Sequence, residues 1–410
     1  MASNTAKSGL LGLFFLFTLN SAQAEVRVES SRLWNRARLI NPGQKIWSFQ
    51  TSYQESSERF GGDGTLEPLG QVSSRAVTWA QLLQSESTQG RADLRAFMRK
   101  RGVSESDVAA TAEYAVERTE FSLEANWAFG LTQNWMIGLR LPLAVRTTRV
   151  RESVEMAPTL AGGIGATEQA DLGVRAKQLA ESQLANSGYD RIPDQKQSWD
   201  WGDISLLSQH GLLKAQHWQA SMQELVRFPT AQSPSITDYI QTSSDEGQTD
   251  LGVTLLADYQ RAGWLVGARL GYVMQLPDTT RNRAPVASPA TVQSSPSVHR
   301  DLGDWVWSSL DLEYKIARNW DINAEYTILS KARDSYSGDA LTGSEYAHLA
   351  DRSDEQLQQS RLGVLYRIGG GGIRDGVLNR WTTALDFTYP WGGRNATNVS
   401  RTSLELISYF

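Results

Sequence analysis

The chain has 410 residues, 40 Lys and Arg against 45 Asp and Glu, a net charge of −5 and no Cys. The lack of Cys excludes a disulfide framework and any thiolate metal or redox site, and mild acidity without a basic stripe argues against nucleic acid as a partner. Mean hydropathy is only −0.39 although the chain carries 14 Trp and 13 Tyr, a balance that fits a soluble exported protein or a membrane β-barrel, in which only alternate residues meet lipid.

The N-terminus reads as a cleaved secretory signal over residues 1–24. Lys7 is the positive n-region, residues 10–19 the apolar run, and Ala22-Gln23-Ala24 the small-residue cleavage site. The run is too short to span a bilayer as a helix, and no later segment is long and apolar enough to do so. Residues 25–44 read as a polar, irregular periplasmic lead-in containing Trp34, and residues 45–410 as the main domain.

A first strand is predicted over residues 45–53, with Trp47, Phe49, Thr51 and Tyr53 on one face. A long polar excursion follows. It holds one helix near residues 91–101 and a second near 108–117, the latter introduced by Ser104-Glu105-Ser106-Asp107, which resembles a capping box. Residues 121–145 are the clearest signal in the chain. Phe121, Leu123, Ala125, Trp127 and Phe129 alternate with smaller or polar residues. After a turn at Gly130–Asn134, Trp135, Ile137, Leu139, Leu141, Leu143 and Val145 do the same. Period two on both sides of a tight turn predicts an antiparallel hairpin with one apolar face. A second excursion carries a helical patch over residues 168–185.

Strands four and five are predicted at residues 203–213 and 218–228, six and seven at 250–260 and 264–276, eight and nine at 305–316 and 320–328. Strands ten, eleven and twelve follow at 360–368, 381–391 and 402–410, with a Gly-rich turn at 369–379 between ten and eleven. Glu224 breaks the apolar face of strand five. About twelve strands result, with short turns after even strands and long polar loops after odd ones, the asymmetry of outer-membrane barrels. Each strand that follows a short turn opens on Trp: Trp135, Trp218, Trp264, Trp320 and Trp381. Five indoles at one level, all in the outward parity, predict an aromatic girdle at a membrane interface. A soluble sandwich would have no reason to place them so. The fold class expected is all-β, an antiparallel transmembrane barrel with partly helical external loops.

The final residue, Phe410, preceded by apolar residues at alternate positions, resembles the C-terminal strand read by the barrel-assembly machinery. Ser408 departs from that pattern, in which an aromatic is usual. The segment Phe129-Gly130-Leu131-Thr132-Gln133-Asn134-Trp135, continuing to Gly138-Leu139-Arg140-Leu141-Pro142, together with Gly202-Asp203-Ile204 and Arg227-Phe228-Pro229-Thr230, resembles outer-membrane barrels labelled as meta-pathway phenol-degradation transporters. That resemblance implies a bacterial outer-membrane location and a transporter-like role, and suggests an aromatic solute. It transfers no catalytic residue, and it leaves the helical first loop unmatched.

With the apolar parity facing lipid, the opposite parity supplies candidate pore-lining residues: Arg118, Glu120, Glu124, Arg140, Arg146, Arg227, Asp250, Asp258, Arg269, Asp311, Glu313, Glu325, Arg361, Arg367, Asp386, Arg401 and Glu405. Such density needs water or ion-pair partners. It predicts either a wet pore or a cross-strand lattice, and the balance of signs predicts weak ionic selectivity or a plugged barrel and not a strong ion filter; a barrel of this strand number allows either, and a narrow, loop-gated pore is the favoured reading. Arg91, Arg95 and Arg99 recur every four residues along the first-loop helix. Folded inward they would form a basic constriction; left outside they would meet solvent or lipopolysaccharide phosphates. Ser208 and His210, two apart on the outward face of strand four, raise a lipid hydrolase as a minor alternative, with no orienting third residue evident in the sequence. His210, His217, His299 and His348 lack metal-ligand spacing, so no metal or other cofactor is expected. The expected function is passive or facilitated passage of a small hydrophobic, aromatic or carboxylate-bearing solute. A structural or surface-recognition barrel is the alternative.

Overall fold

The computed structural model describes residues 31–69, 75–157, 166–186, 190, 194–231, 247–281, 297–339, 343–368 and 380–410. The signal segment and the Gly-rich turn at 369–379 lie outside the described residues. Period-two sequence becomes twelve antiparallel wall strands: β1 (Lys45–Ser56), β2 (Val108–Thr132), β3 (Trp135–Met156), β4 (Ile204–Lys214), β5 (Trp218–Phe228), β6 (Asp250–Arg261), β7 (Trp264–Gln275), β8 (Trp305–Ala317), β9 (Trp320–Lys331), β10 (Glu355–Ile368), β11 (Arg380–Arg394) and β12 (Ser400–Tyr409). Consecutive strands pair, β1 with β2 across the first excursion, and β12 returns to β1 with Gln50 opposite Glu405. The sheet is closed, which removes its edges. The shortest wall strand has 10 residues, enough to cross a hydrocarbon layer when tilted.

The two parities separate as hydropathy dictates. On β1, Trp47 and Phe49 are exposed on the outside while Ser48 and Gln50 are buried inside. The same inversion, apolar out and polar in, continues on β6 to β9 with Leu255, Val266, Leu310 and Ile322 outward and Asp258, Arg269, Asp311 and Glu325 inward. Burying apolar groups in water-excluded protein is the ordinary rule; its reversal here means the solvent outside is lipid.

Three local expectations are revised. Residues 108–117, expected as a helix, belong to β2. Ser104 does not cap a helix: its amide donates to the Asp107 carboxylate at 2.7 Å in a turn. Ala110, Ala112, Tyr114 and Val116 are then buried at period two in the β2–β3 ladder, on the same face as Glu120 and Glu124. This makes β2 and β3 25 and 22 residues long, so the hairpin overshoots the barrel at the long-loop end. The second excursion, expected to carry only a helical patch, also contributes a strand: Gln195–Trp201 pairs Leu143–Arg149 of β3, β4 pairs Trp135–Arg140, and the Gly202 amide donates to the Pro142 carbonyl at 3.0 Å between them. Pro142 has no amide to extend the ladder.

Helices α1 (Trp79–Ser85), α2 (Thr88–Arg101) and α3 (Ala166–Asn186) cover the overshooting hairpin. Helix α1 is opened by a capping box between Thr78 and Gln81. Helix α2 starts on Ser87, whose hydroxyl accepts from the Gly90 amide, and ends on Gly102 at φ 67°. Trp79, Leu82, Leu94, Met98 and Leu172 bury one another there against Ala109 and Ala110. A short helix α4 (Gly343–Leu349) lies in the loop before β10.

Candidate functional site

The lumen is the site, and its main occupant is the chain itself. Ser31, Arg32, Leu33, Trp34, Asn35, Ala37 and Ile40 are buried, because the segment read as a periplasmic lead-in runs inside the barrel. The hydroxyl of Ser31 donates to the Glu405 carboxylate at 2.7 Å and the amide of Arg32 to its other oxygen at 3.1 Å. The Arg32 guanidinium bridges Asp386 and donates to Asn323 at 2.6 Å. Arg36 reaches Asp311 at 2.5 Å and Glu313 at 2.6 Å, and the Ala37 amide donates to Asp258 at 2.8 Å. Carboxylates from β6, β8, β11 and β12 are thereby spent on one short segment.

Its apolar side has an equally specific seat. Near the short-turn end the inward parity turns apolar, and Ile46, Ala128, Met136, Leu207 and Ile407 pack around Leu33, Trp34 and Ile40. The Trp34 indole donates to Asn126 at 3.3 Å. Gly138 makes this possible: a Cβ on Gly138 would lie 2.1 Å from the Trp34 ring. Gly363 does the same for Arg32, whose Nη2 would be 2.7 Å from a Cβ there. Glycines on the inner parity of wall strands were the available signal for an internal occupant.

The sequence-derived inner residues all turn inward. Glu120, Glu124, Arg140, Arg146, Asp250, Asp258, Arg269, Asp311, Glu313, Glu325, Asp386 and Glu405 are buried, and Arg118, Arg227, Arg361, Arg367 and Arg401 are half-buried. Most are joined in a cross-strand lattice. Arg140 bonds Glu124 at 2.8 Å, Arg146 bonds Glu120 at 2.5 Å, and Arg227 bonds Asp250 at 2.7 Å. Glu325 takes both Arg269 and Arg361, while Arg367 holds Glu313 and Asp321. Of the two sequence alternatives, a wet pore or a lattice, the geometry shows the lattice. What the sequence did not show is that Arg32 and Arg36 complete it.

Arg91, Arg95 and Arg99 are exposed on α2; Arg91 donates to the Glu86 carbonyl and Arg95 pairs Glu105 at 3.2 Å. The apolar face of the helix packs with Trp79 and Leu82 against Ala110 of the β2–β3 hairpin.

On the outer face, Trp135, Trp218, Trp264, Trp320 and Trp381 are all exposed at the short-turn end. Phe410 is exposed, and its backbone exchanges two bonds with Lys45, at 2.9 and 3.1 Å, sealing the β1–β12 seam. Ser408 lies between Trp47 and Trp381 in the ladder and is buried there, so neighbouring indoles cover the place an aromatic usually fills. Glu224, unexplained from sequence, stands opposite Ser208 and 3.6 Å from His210 Nε2; the Ser208 hydroxyl is 3.0 Å from the same nitrogen. A catalytic triad needs the carboxylate on the other ring nitrogen, so this group does not make one. Trp135 stacks on His210 and donates to Ser208 at 3.0 Å. Among the described residues no cluster of His, Asp and Glu could hold a metal.

No protein-family model matches the chain, and no curated protein matches it. Among solved structures it is similar to an outer membrane channel of Pseudomonas putida F1, with 9% identity and a TM-score of 0.51, over 91% of this chain and 98% of that one. The chain has the fold of an outer-membrane β-barrel. A FadL homologue of Pseudomonas aeruginosa aligns at 8% identity and TM-score 0.34, over 92% and 97% of the two chains. The translocator domain of the autotransporter NalP of Neisseria meningitidis aligns at 7% and 0.35, over 90% and 89%.

Proposed function

We propose that the chain is an outer-membrane channel for small solutes, closed at rest by its own residues 31–40. The observation that carries this reading is the division of labour between wall and occupant. The wall is complete without the segment, because its ladder closes β12 on β1, and the segment is fastened to it by side chains such as Glu405, Asp386 and Asp311. It can therefore leave without opening a sheet edge. Lattice charges of both signs favour small neutral or weakly charged solutes over a strong ion filter. An aromatic solute is the finer reading, supported by the resemblance in residues 129–142 and by the apolar collar around Met136 and Ile407.

In this reading the five Trp residues form the periplasmic interfacial girdle, lipid and lipopolysaccharide surround the wall, and Phe410 is the mark read by the assembly machinery. The protein performs no catalytic step. Surface recognition without transport is the second reading, favoured by the folded helical cluster on the β2–β3 overhang. Conductance in planar bilayers and liposome swelling with small neutral sugars separate the two. The full chain should pass little current, and a chain lacking residues 31–40 should pass much more. Folded protein that stays closed in both forms overturns the channel reading.

A further inference from the structure

One place on the lipid-facing wall breaks its apolar rule. Across β4 to β12, Glu224 is the only carboxylate in the outward parity and His210 the only imidazole. Glu224 lies six residues beyond the girdle residue Trp218 on β5. For a strand tilted about 40° that is roughly 15 Å from the girdle, well inside an apolar band about 25 Å tall. An ionisable group at such a depth needs a partner. Its ladder neighbours are Ser208 of β4 and Val253 of β6, and its side chain is 51% exposed. His210 Nε2 is 3.6 Å away, beyond hydrogen-bond reach. Among the described residues no donor bonds the Glu224 carboxylate.

The neighbouring bonds leave a matching donor. Trp135 Nε1 donates to Ser208 Oγ at 3.0 Å, so the Ser208 hydroxyl turns its own hydrogen to His210 Nε2, also at 3.0 Å. A neutral imidazole that accepts at Nε2 carries its hydrogen on Nδ1. Trp135 stacks on the ring with 5.5 Å between centroids and 13° between planes, which fixes its orientation. One lipid-facing patch thus presents a donor, His210 Nδ1–H, and an acceptor, Glu224, and among the described residues neither is bonded within the chain. We propose that two copies of this chain pair through the outer face of β4 to β6, His210 Nδ1–H of each donating to Glu224 of the other. Copies inserted in the same sense are related by a two-fold axis along the membrane normal, and a two-fold contact needs one patch carrying both halves of the bond. This patch carries both. Leu206, Leu251 and Val253, all exposed, surround it and supply the packing surface. Between surfaces immersed in lipid, apolar contact gives little net drive, whereas hydrogen bonds hold the partners. An acyl chain has no donor to offer Glu224, so lipid suits the rest of the wall and leaves this patch unsatisfied.

The pairing does not depend on whether the plug leaves, so it stands or falls apart from the channel reading. The chain has no Cys, which makes Met222→Cys, opposite His210 in the β4–β5 ladder, an unambiguous cross-linking probe. Oxidised in intact outer membranes, it should give a disulfide-linked dimer. Leu310→Cys, exposed on β8 away from the patch, should not. Sedimentation of the purified full chain should show a dimer whose dissociation constant rises about tenfold in Glu224→Leu and in His210→Leu. Leucine suits a lipid-facing position, and the heat-dependent gel shift confirms that each barrel is folded. When the two variants are co-expressed, only the mixed dimer keeps one of the two bonds, so it should exceed its statistical share about threefold. A monomer in the membrane, a Met222→Cys dimer that Glu224→Leu leaves undiminished, or mixed dimers at the statistical share overturns the proposal.

Discussion

Two parts of this molecule bury a tryptophan almost completely, and they do so by opposite means. Trp79 sits in the outer cluster among Leu82, Leu94, Met98 and Leu172, a dry patch made by three helices on an overhanging hairpin. Trp34 sits inside the barrel, with an apolar collar on one side and Arg32 and Arg36 on flanking positions tied into the charge lattice. The outer cluster is held by helices that cap themselves through Thr78, Ser87 and Gly102. The plug has no regular secondary structure over Arg38–Ile40 and depends on pockets and carboxylates supplied by the wall. One region is a small domain core. The other is a ligand that happens to be covalently attached.

The largest expected effect sets these two side by side. Gly138→Leu would put a side chain where the Trp34 ring lies, and losing the seat of a buried Trp is worth about 3–5 kcal/mol. The plug should leave, the N-terminal segment should become cleavable by protease in folded protein, and bilayer conductance should rise. Trp79→Ala should cost a similar ~3–5 kcal/mol, yet all of it in the outer cluster. Protease should then cut near α1 and α2 while conductance stays at the parental level. If Trp79→Ala opens the channel, or Gly138→Leu leaves it closed with the barrel folded, the separation of the two regions fails.

A smaller effect probes the ionic side of the plug. Arg36→Gln withdraws the cation shared by Asp311 and Glu313. Stripping one partner from a dry buried pair costs about 3–5 kcal/mol. Here Glu313 keeps Arg367 and the Arg36 side chain is 19% exposed, so about 2 kcal/mol is expected. Protease accessibility of the N-terminal segment should rise less than in Gly138→Leu. A loss equal to that variant would place the holding force in the lattice instead of the collar.

The same contrast explains what could be read from sequence. The wall was legible because lipid imposes a strict rule: Trp264, Val266, Ala268 and Leu270 alternate with Leu265, Gly267 and Arg269 for a reason that acts residue by residue. Helix α2 was legible near residues 91–101, where Arg91, Arg95 and Arg99 recur every four residues, but which surface would receive its apolar face depended on Trp79 and Ala110, partners with no local mark. Residues 108–117 failed because Val108–Glu117 carries both helix-forming residues and alternation, and pairing with β3 decided between them. The plug failed most instructively. Residues 31–40 have no period, and their partners lie up to 374 positions away, as Ser31 to Glu405 does. Only the inward glycines hinted at it, because a missing side chain in a wall strand is room reserved for something.

The smallest expected effect lies outside both regions, on the long-loop side, where a short strand Asp278–Arg281 pairs Ser297–Asp301. Burial pushes the Asp278 carboxyl upward, but hydrogen bonds from Arg300 at 2.8 and 2.9 Å and from Gln248 at 2.8 Å outweigh it and leave the group below its ordinary value of 3.8. A carboxylate depressed by folding stabilises the folded form fully above its unfolded value, and that contribution is lost as pH falls through the folded value. The accessory sheet should therefore hold at pH 5 and loosen only below about pH 3.8, seen as amide exchange at residues 278–281 and 297–301. Asp278→Asn should remove the pH dependence, since an amide keeps the shape and loses the charge. Because Asp278 touches neither the plug nor the outer helices, conductance and Trp34 burial should not follow this titration. If they do, the long-loop sheet is coupled to the lumen, and the barrel would have to transmit a change from one end to the other through β7 and the Asp250–Arg227 pair that stands between them.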